Sequence, residues 1–151
     1  MLQTIESVLL NYGYSGLFTA SFLASTILPF GSEGFLVYLT TRGFNVMSLV
    51  LVATIGNFLG ACTSYYIGLK GGGYAERILK MKPGEIEKAE KYFSKYGSYV
   101  LLFTWLPLIG DVFTVVSGIL RFRFAVFTVL VFTGKFLRYL AVVYLAGALI
   151  S

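Results

Sequence analysis

Four ionisable side chains stand inside stretches that are otherwise apolar: Glu33, Asp111, Lys135 and Arg138. A charge at the centre of a bilayer costs roughly 3 kcal/mol or more unless it is paired or hydrated, so such residues ask for a reason. Two acids and two bases can neutralise one another, and that arrangement has two readings. In the first, internal salt bridges hold parts of the protein in register. A buried ion pair is often no more stabilising than a well-packed apolar replacement, which weakens this reading on its own. In the second, Glu33 and Asp111 take up protons or cations, while Lys135 and Arg138, three positions apart on one helix face, attract an anionic group. A carboxyl group in a low-dielectric cavity titrates closer to neutrality than in water, as a proton-coupled carrier requires.

Both acids follow helix breakers. Pro29, Gly31 and Ser32 precede Glu33, and Pro107 and Gly110 precede Asp111. A broken helix frees backbone amides and carbonyls that lipid cannot satisfy, so these residues must face protein or a wet cavity, and they are expected to line a pathway.

The surrounding composition is that of an integral membrane protein. Hydrophobic residues make up 57% of the chain and charged residues 13%, against roughly 25% in a soluble domain. With no His in the chain there is no Ser–His or Cys–His dyad and no His-ligated zinc or haem, and the lone Cys62 rules out an intrachain disulfide. No Gly-rich loop carries the Lys of a phosphate cradle; Gly71-Gly72-Gly73 reads as a hinge. The chain is therefore expected to be no enzyme, with no catalytic residue, metal site or cofactor, and no nucleic-acid partner. The N-terminus carries Glu6 but no Lys or Arg, unlike a cleavable signal peptide, so the first apolar stretch is expected to be retained.

The elements that must position the four charges read as one membrane domain over residues 1–151. Residues 13–41 are apolar but interrupted at 29–34. Their arms would rise only about 24 Å and 15 Å against a hydrocarbon core of roughly 30 Å, which predicts a re-entrant hairpin. Residues 44–69 carry no charge and are long enough to cross, with Gly56, Gly60, Ala61, Ser64 and Gly68 giving a flat face for another backbone. Residues 70–96 form an amphipathic connector, a helix or pair of helices broken at Lys82-Pro83-Gly84. Residues 97–120 are a second interrupted hairpin, broken at 107–111, and residues 124–150 a second crossing helix. Lys135 falls about 16 Å along that helix, near mid-membrane.

A shift of 78 residues aligns Leu28-Pro29 with Leu106-Pro107, Phe44 with Phe122, Gly56 with Gly134, Phe58-Leu59 with Phe136-Leu137 and Tyr66 with Tyr144, and brings Glu33 onto Asp111. This predicts a duplication, with repeats over about 13–69 and 97–151. A hairpin returns to its starting side and a single helix then changes sides, so two copies in series must be inverted. Nine of the twelve Lys and Arg residues lie between Lys70 and Arg123. The positive-inside rule therefore puts residues 70–96 in the cytoplasm and both termini, with Arg42, outside. Tyr12, Tyr14, Tyr96 and Tyr99 are candidate interfacial anchors.

The segments Leu28-Pro29-Phe30-Gly31-Ser32-Glu33, Gly56-Asn57-Phe58-Leu59-Gly60 with Tyr65-Tyr66-Ile67-Gly68, and Leu106-Pro107 through Ser117-Gly118 together resemble the DedA superfamily, the SNARE-associated Golgi or VTT-domain proteins, in its compact YqaA-like branch. The resemblance implies a bacterial inner-membrane protein with two re-entrant hairpins. It also implies a role in moving lipids, or lipid carriers such as undecaprenyl phosphate, between leaflets, linked to the proton-motive force. Larger members of that superfamily carry arginines three before and three after the second-hairpin proline, where this chain has Thr104 and Gly110. A phosphate site built on those arginines does not carry over.

The expectation is thus an all-α inverted-repeat transporter or flippase for an anionic lipid, with membrane lipids and protons as partners and room for a homo-oligomer. Two rivals stand beside it. One is an ion or small-solute carrier on the same architecture. The other is a non-transporting assembly protein that recruits partners through its Gly-rich helix faces and residues 70–95.

Overall fold

A computed structural model describes residues 7, 11–26, 32–106 and 109–151. The helix-break residues Pro29, Gly31 and Pro107 lie outside this set, so the expected interruptions at their centres are not described. Seven α-helices are described: α1 (Gly13–Ala24), α2 (Ser32–Thr41), α3 (Val46–Leu69), α4 (Gly72–Leu79), α5 (Pro83–Tyr96), α6 (Ile109–Ile119) and α7 (Phe124–Ile150). A 3-10 segment, Gly97–Trp105, follows α5.

Of these, α3 and α7 are long and apolar enough to cross a membrane. Their starts follow from local chemistry. Asn45 caps α3, its side chain accepting from the Ser48 amide at 3.0 Å. Pro83 sits in the first turn of α5, where its missing N–H is not needed. The connector is two helices, as the Lys82-Pro83-Gly84 sequence predicts, and α5 buries Ile86, Ala89 and Phe93 along one face. Ile78 and Tyr92, apolar residues of the two connector helices, are half exposed.

The first arm of the second hairpin differs from expectation: Gly97–Trp105 is 3-10 rather than α-helical. The β-branched and aromatic residues Tyr99, Val100, Phe103, Thr104 and Trp105 are mediocre α-formers. The Thr104 hydroxyl also donates to the Leu101 carbonyl three residues back, at 2.8 Å. At about 2.0 Å per residue, the nine residues reach about 18 Å, further than an α-helix of the same length.

The long helices α3 and α7 run antiparallel. Near one end Tyr65 donates to the Phe122 carbonyl and packs on Phe124 and Phe127. At the other end Leu49, Val50 and Ala53 share a cluster with Tyr139, Val142 and Val143. Helix α1 lies along α3, while α6 crosses α3 and α2 packs on α7; the 3-10 segment lies along α7. Thus α1 rests on α3 and the 3-10 segment on α7, the long helices that follow them; α6 rests on α3, whereas α2 packs equally on α3 and α7.

Small residues permit these contacts. A Cβ on Gly56 would meet the Phe18 carbonyl oxygen at 2.5 Å, and one on Gly60 the Phe22 carbonyl oxygen at 2.6 Å. Gly68 and Gly118 face each other where α3 crosses α6, each against the other helix's backbone. The Gly-rich face of α3 is consumed inside the protein by α1 and α6. It is not free to recruit a partner, which removes one support from the assembly reading.

The turns entering the two crossing helices are the same. Gly43 has φ 83°, with its amide on the Thr40 carbonyl and the Phe44 amide on the Leu39 carbonyl. Seventy-eight positions later, Arg121 has φ 55°, with its amide on the Gly118 carbonyl and the Phe122 amide on the Ser117 carbonyl. Both are the paired helix-ending bonds of a Schellman motif, which favours Gly at the left-handed position. The second turn places an Arg there.

Candidate functional site: a buried charge cluster between the crossing helices

The last turns of polar sequence in α3 and α7 are few, and they meet. Asn57, in the middle of α3, is 3% exposed, and Lys135, in the middle of α7, is 2% exposed. The Lys135 ammonium donates to the Asn57 side-chain carbonyl. An ammonium has donors only, so Asn57 must turn its oxygen toward Lys135 and its amide nitrogen away. That nitrogen donates to the Tyr139 hydroxyl at 3.0 Å. Tyr139 lies one turn beyond Lys135, fully buried, and its hydroxyl meets that of Ser32 at 2.9 Å. Ser32 opens α2 and also reaches the Glu33 carboxylate, at 3.5 Å.

Glu33, in the first turn of α2, is ion-paired with Arg138 of α7. Their side chains are 24% and 17% exposed, so the pair sits at the edge of the cluster rather than in its dry centre. The Arg138 guanidinium also lies 6.0 Å from the centroid of the Tyr139 ring. A carboxylate in the first turn of a helix is further favoured by the unpaired amides there.

Asp111 occupies the corresponding first turn of α6. It lies within electrostatic reach of Lys135 and Arg138. It also lines a pocket of about 280 Å³ together with Ser25, Ser64, Lys80, Glu85 and Val115. Ser25 is 1% exposed, and its hydroxyl has no hydrogen-bond partner among the described protein groups. Lys80 and Glu85 belong to the connector, so this pocket joins Asp111 to the end of the protein where the basic residues gather.

Of the four charges singled out in the sequence, Glu33 and Arg138 form an ion pair, Lys135 is bonded to Asn57, and Asp111 lies within electrostatic reach of both bases. Glu33 is closed by Arg138, whereas Asp111 borders a cavity. Of the pathway residues, Ser32 joins the network directly. Gly110 lies against the Thr104 backbone, where a Cβ would collide, which accounts for a glycine there. Asn57, Tyr139 and Ser25 were not singled out in the sequence. Asn57 had a signal: it is an amide in a 24-residue apolar helix and falls opposite Lys135 in the 78-residue register. Tyr139, one of eleven tyrosines, had none. Among the described residues no group of three His, Cys, Asp or Glu side chains is arranged to hold a metal.

Comparison with known proteins agrees with this membrane architecture. Residues 28–147 match the VTT domain. The chain is 35% identical over 129 residues to the inner membrane protein YqaA of Escherichia coli K12, covering 83% of this chain and 85% of that protein. It is 29% identical over 166 residues to a protein of Lactococcus lactis named alkaline phosphatase-like, covering 99% and 76%. It is 26% identical over 152 residues to undecaprenyl phosphate transporter A of Staphylococcus aureus, covering 89% and 72%. No solved structure matches the chain. With a VTT-domain match over most of its length, and with two helices among its described residues long and apolar enough to cross a membrane, the chain belongs to the VTT-domain, or DedA, family of membrane proteins.

Proposed function

We propose that this protein moves an anionic amphiphile, with an isoprenoid phosphate as the leading candidate, between membrane leaflets, and that protonation of its buried carboxylates drives the exchange. The observation that carries this reading is the Glu33–Arg138 pair between α2 and α7. Arg138 is the most accessible cation of the cluster and the one suited to a bidentate grip on phosphate, but Glu33 occupies it. A proton on Glu33 cancels the carboxylate charge and frees Arg138 for the anion. Loss of that proton restores the pair and expels the anion. Proton uptake and anion binding are thereby linked through one guanidinium. Asp111 is the matching acid on the other side, its pocket giving access from the connector end.

The architecture we infer is a pair of inverted repeats, each a re-entrant hairpin followed by a crossing helix. Its supports are the antiparallel run of α3 and α7, the packing of α6 on α3 and of α2 on α7 as well as on α3, and the matching turns at Gly43 and Arg121. With Lys70, Arg121 and Arg123 at the same end of the bundle as the connector, the positive-inside rule orients residues 70–96 to the cytoplasm of a multi-pass inner-membrane protein, with both termini outside. The chain's lack of His disfavours a hydrolytic alternative built on a Ser–His or Cys–His dyad.

The test is leaflet exchange of a fluorescent isoprenyl phosphate in proteoliposomes holding the purified protein. Glu33→Gln and Asp111→Asn are each expected to slow exchange at least tenfold. Exchange at the wild-type rate in both variants overturns the role of the acids. Exchange of a neutral fluorescent lipid at the same rate overturns the choice of an anionic substrate, and transport of a soluble anion without lipid exchange favours the solute-carrier reading instead.

A further inference from the structure

We propose that Asn57, Tyr139 and Ser32 form a directional hydrogen-bond relay that makes the state of Glu33 depend on whether Lys135 is engaged at the far end. The inference rests on the proton-linked reading above and deepens it: the relay is the physical connection between the two halves of the site.

The direction of each bond follows from the chemistry of the ends. Lys135 can only donate, so the Asn57 oxygen faces it and the Asn57 nitrogen donates onward to the Tyr139 hydroxyl. With that lone pair used, the Tyr139 proton points to Ser32, at 2.9 Å. The Ser32 proton then points toward the Glu33 carboxylate across a long contact of 3.5 Å, the weakest link of the relay. At the other end a carboxylate can only accept. The cation and the anion thus impose the same sense on every intermediate donor, and the Ser32 hydroxyl arrives at Glu33 in the orientation that favours the ionised acid. All three relay residues are nearly or fully buried, so water does not readily substitute for a missing link.

The relay has a second position. Ser21 of α1 faces the Tyr139 hydroxyl but makes no hydrogen bond in the present arrangement. When Lys135 turns toward Asp111 or an anion, Asn57 is free to rotate its amide and present its oxygen to Tyr139. The tyrosine proton then points to Asn57, and Ser32 loses the donor that oriented it. Glu33 thereby loses a hydrogen bond and accepts a proton more readily, releasing Arg138. Other charges bear on both ends: Arg138 on Glu33, and Asp111, Arg138 and Cys62 on Lys135, while Glu33 and Lys135 also act on each other directly through space. The through-space part of the coupling must therefore be separated from the relayed part.

A hydrophobic carbodiimide, which adds to protonated carboxyl groups and leaves a stable acylurea, reports the pH midpoint of Glu33 by mass spectrometry of the intact protein's Glu33 peptide. Tyr139→Phe keeps the ring and removes the middle link, so that Ser32 still reaches Glu33 but without the donor that polarises it. It is expected to move the midpoint to higher pH by about 0.3 unit, roughly twofold in proton concentration. The far end is altered by the double substitution Lys135→Met with Asn57→Leu. Its shift of the Glu33 midpoint is expected to fall by at least half when measured in the Tyr139→Phe background, because only the through-space part remains. An unchanged midpoint in Tyr139→Phe, or an equal far-end shift in both backgrounds, overturns the relay. Should Tyr139→Phe fail to fold, Ser32→Ala takes its place with the same expectations. The labelling is done in detergent with no lipid moving, so it can fail while leaflet exchange still needs Glu33, and it can succeed while exchange does not occur.

Discussion

The buried Lys135 ammonium donates a hydrogen bond to Asn57, which stands 78 positions earlier in the chain, the same shift that aligns Pro29 with Pro107 and Glu33 with Asp111 in the sequence. Counterparts related by a two-fold axis touch each other only on that axis. In the inverted repeat we infer, one such position has become a cation and the other its acceptor, so the proposed axis is polarised. The acids differ in the same sense, Glu33 being closed by Arg138 and Asp111 bordering a cavity.

Removing only one partner of the central pair strands the other. Asn57→Leu leaves a buried ammonium without its acceptor and is expected to destabilise by about 2–3 kcal/mol. Adding Lys135→Met removes the stranded charge and should recover most of that loss. Thermal melting in detergent checks the order: wild type near the double variant, both above Asn57→Leu.

The matched turns at Gly43 and Arg121 make opposite predictions. Gly43→Ala forces a side chain into the left-handed region and is expected to cost about 1–2 kcal/mol. Arg121→Gly relieves the same conformation and should leave the melting temperature unchanged or raise it. Melting of the two variants side by side tests the equivalence of the turns.

Backbone contact between α3 and α6 depends on Gly68 and Gly118. Gly118→Ala puts a methyl group onto the Tyr65 carbonyl, and the helices must separate. A melting temperature lowered by several degrees is expected, whereas Gly147→Ala, which meets nothing, serves as the neutral control.

Orientation is open to chemical labelling. Cysteines introduced singly at Lys88 and at Thr41 in a Cys62→Ser background should react with membrane-impermeant maleimide from opposite sides, Lys88 from the cytoplasm. Reaction of both from one side contradicts the inferred topology.

Much of this was legible in the sequence because the signals are local and strong. Apolar runs long enough to cross mark α3 and α7; Lys82-Pro83-Gly84 marks the break in the connector; and Glu33, Asp111, Lys135 and Arg138 stand out as charges in apolar surroundings. What escaped was set by tertiary contact. Asn57 gains its meaning only from the helix it faces, and Tyr139 is one hydroxyl among many until Ser32 and Asn57 converge on it. The 3-10 path of Gly97–Trp105 was missed because apolar length was read as α-helix, although β-branched and aromatic residues fill the segment. The pairing of Glu33 with Arg138, rather than with Lys135, turns on the one-turn offset between two cations on a single helix face, which spacing alone does not resolve.

The central claim is that protonation at the buried acids governs exchange of an anionic lipid. Its most direct test is the exchange rate of a fluorescent isoprenyl phosphate in proteoliposomes before and after a pH gradient is imposed. Wild-type protein is expected to respond severalfold, while Glu33→Gln, unable to cycle its charge, gives the same slow rate with and without the gradient. A wild-type rate indifferent to the gradient, or a Glu33→Gln protein that responds as wild type does, contradicts the account.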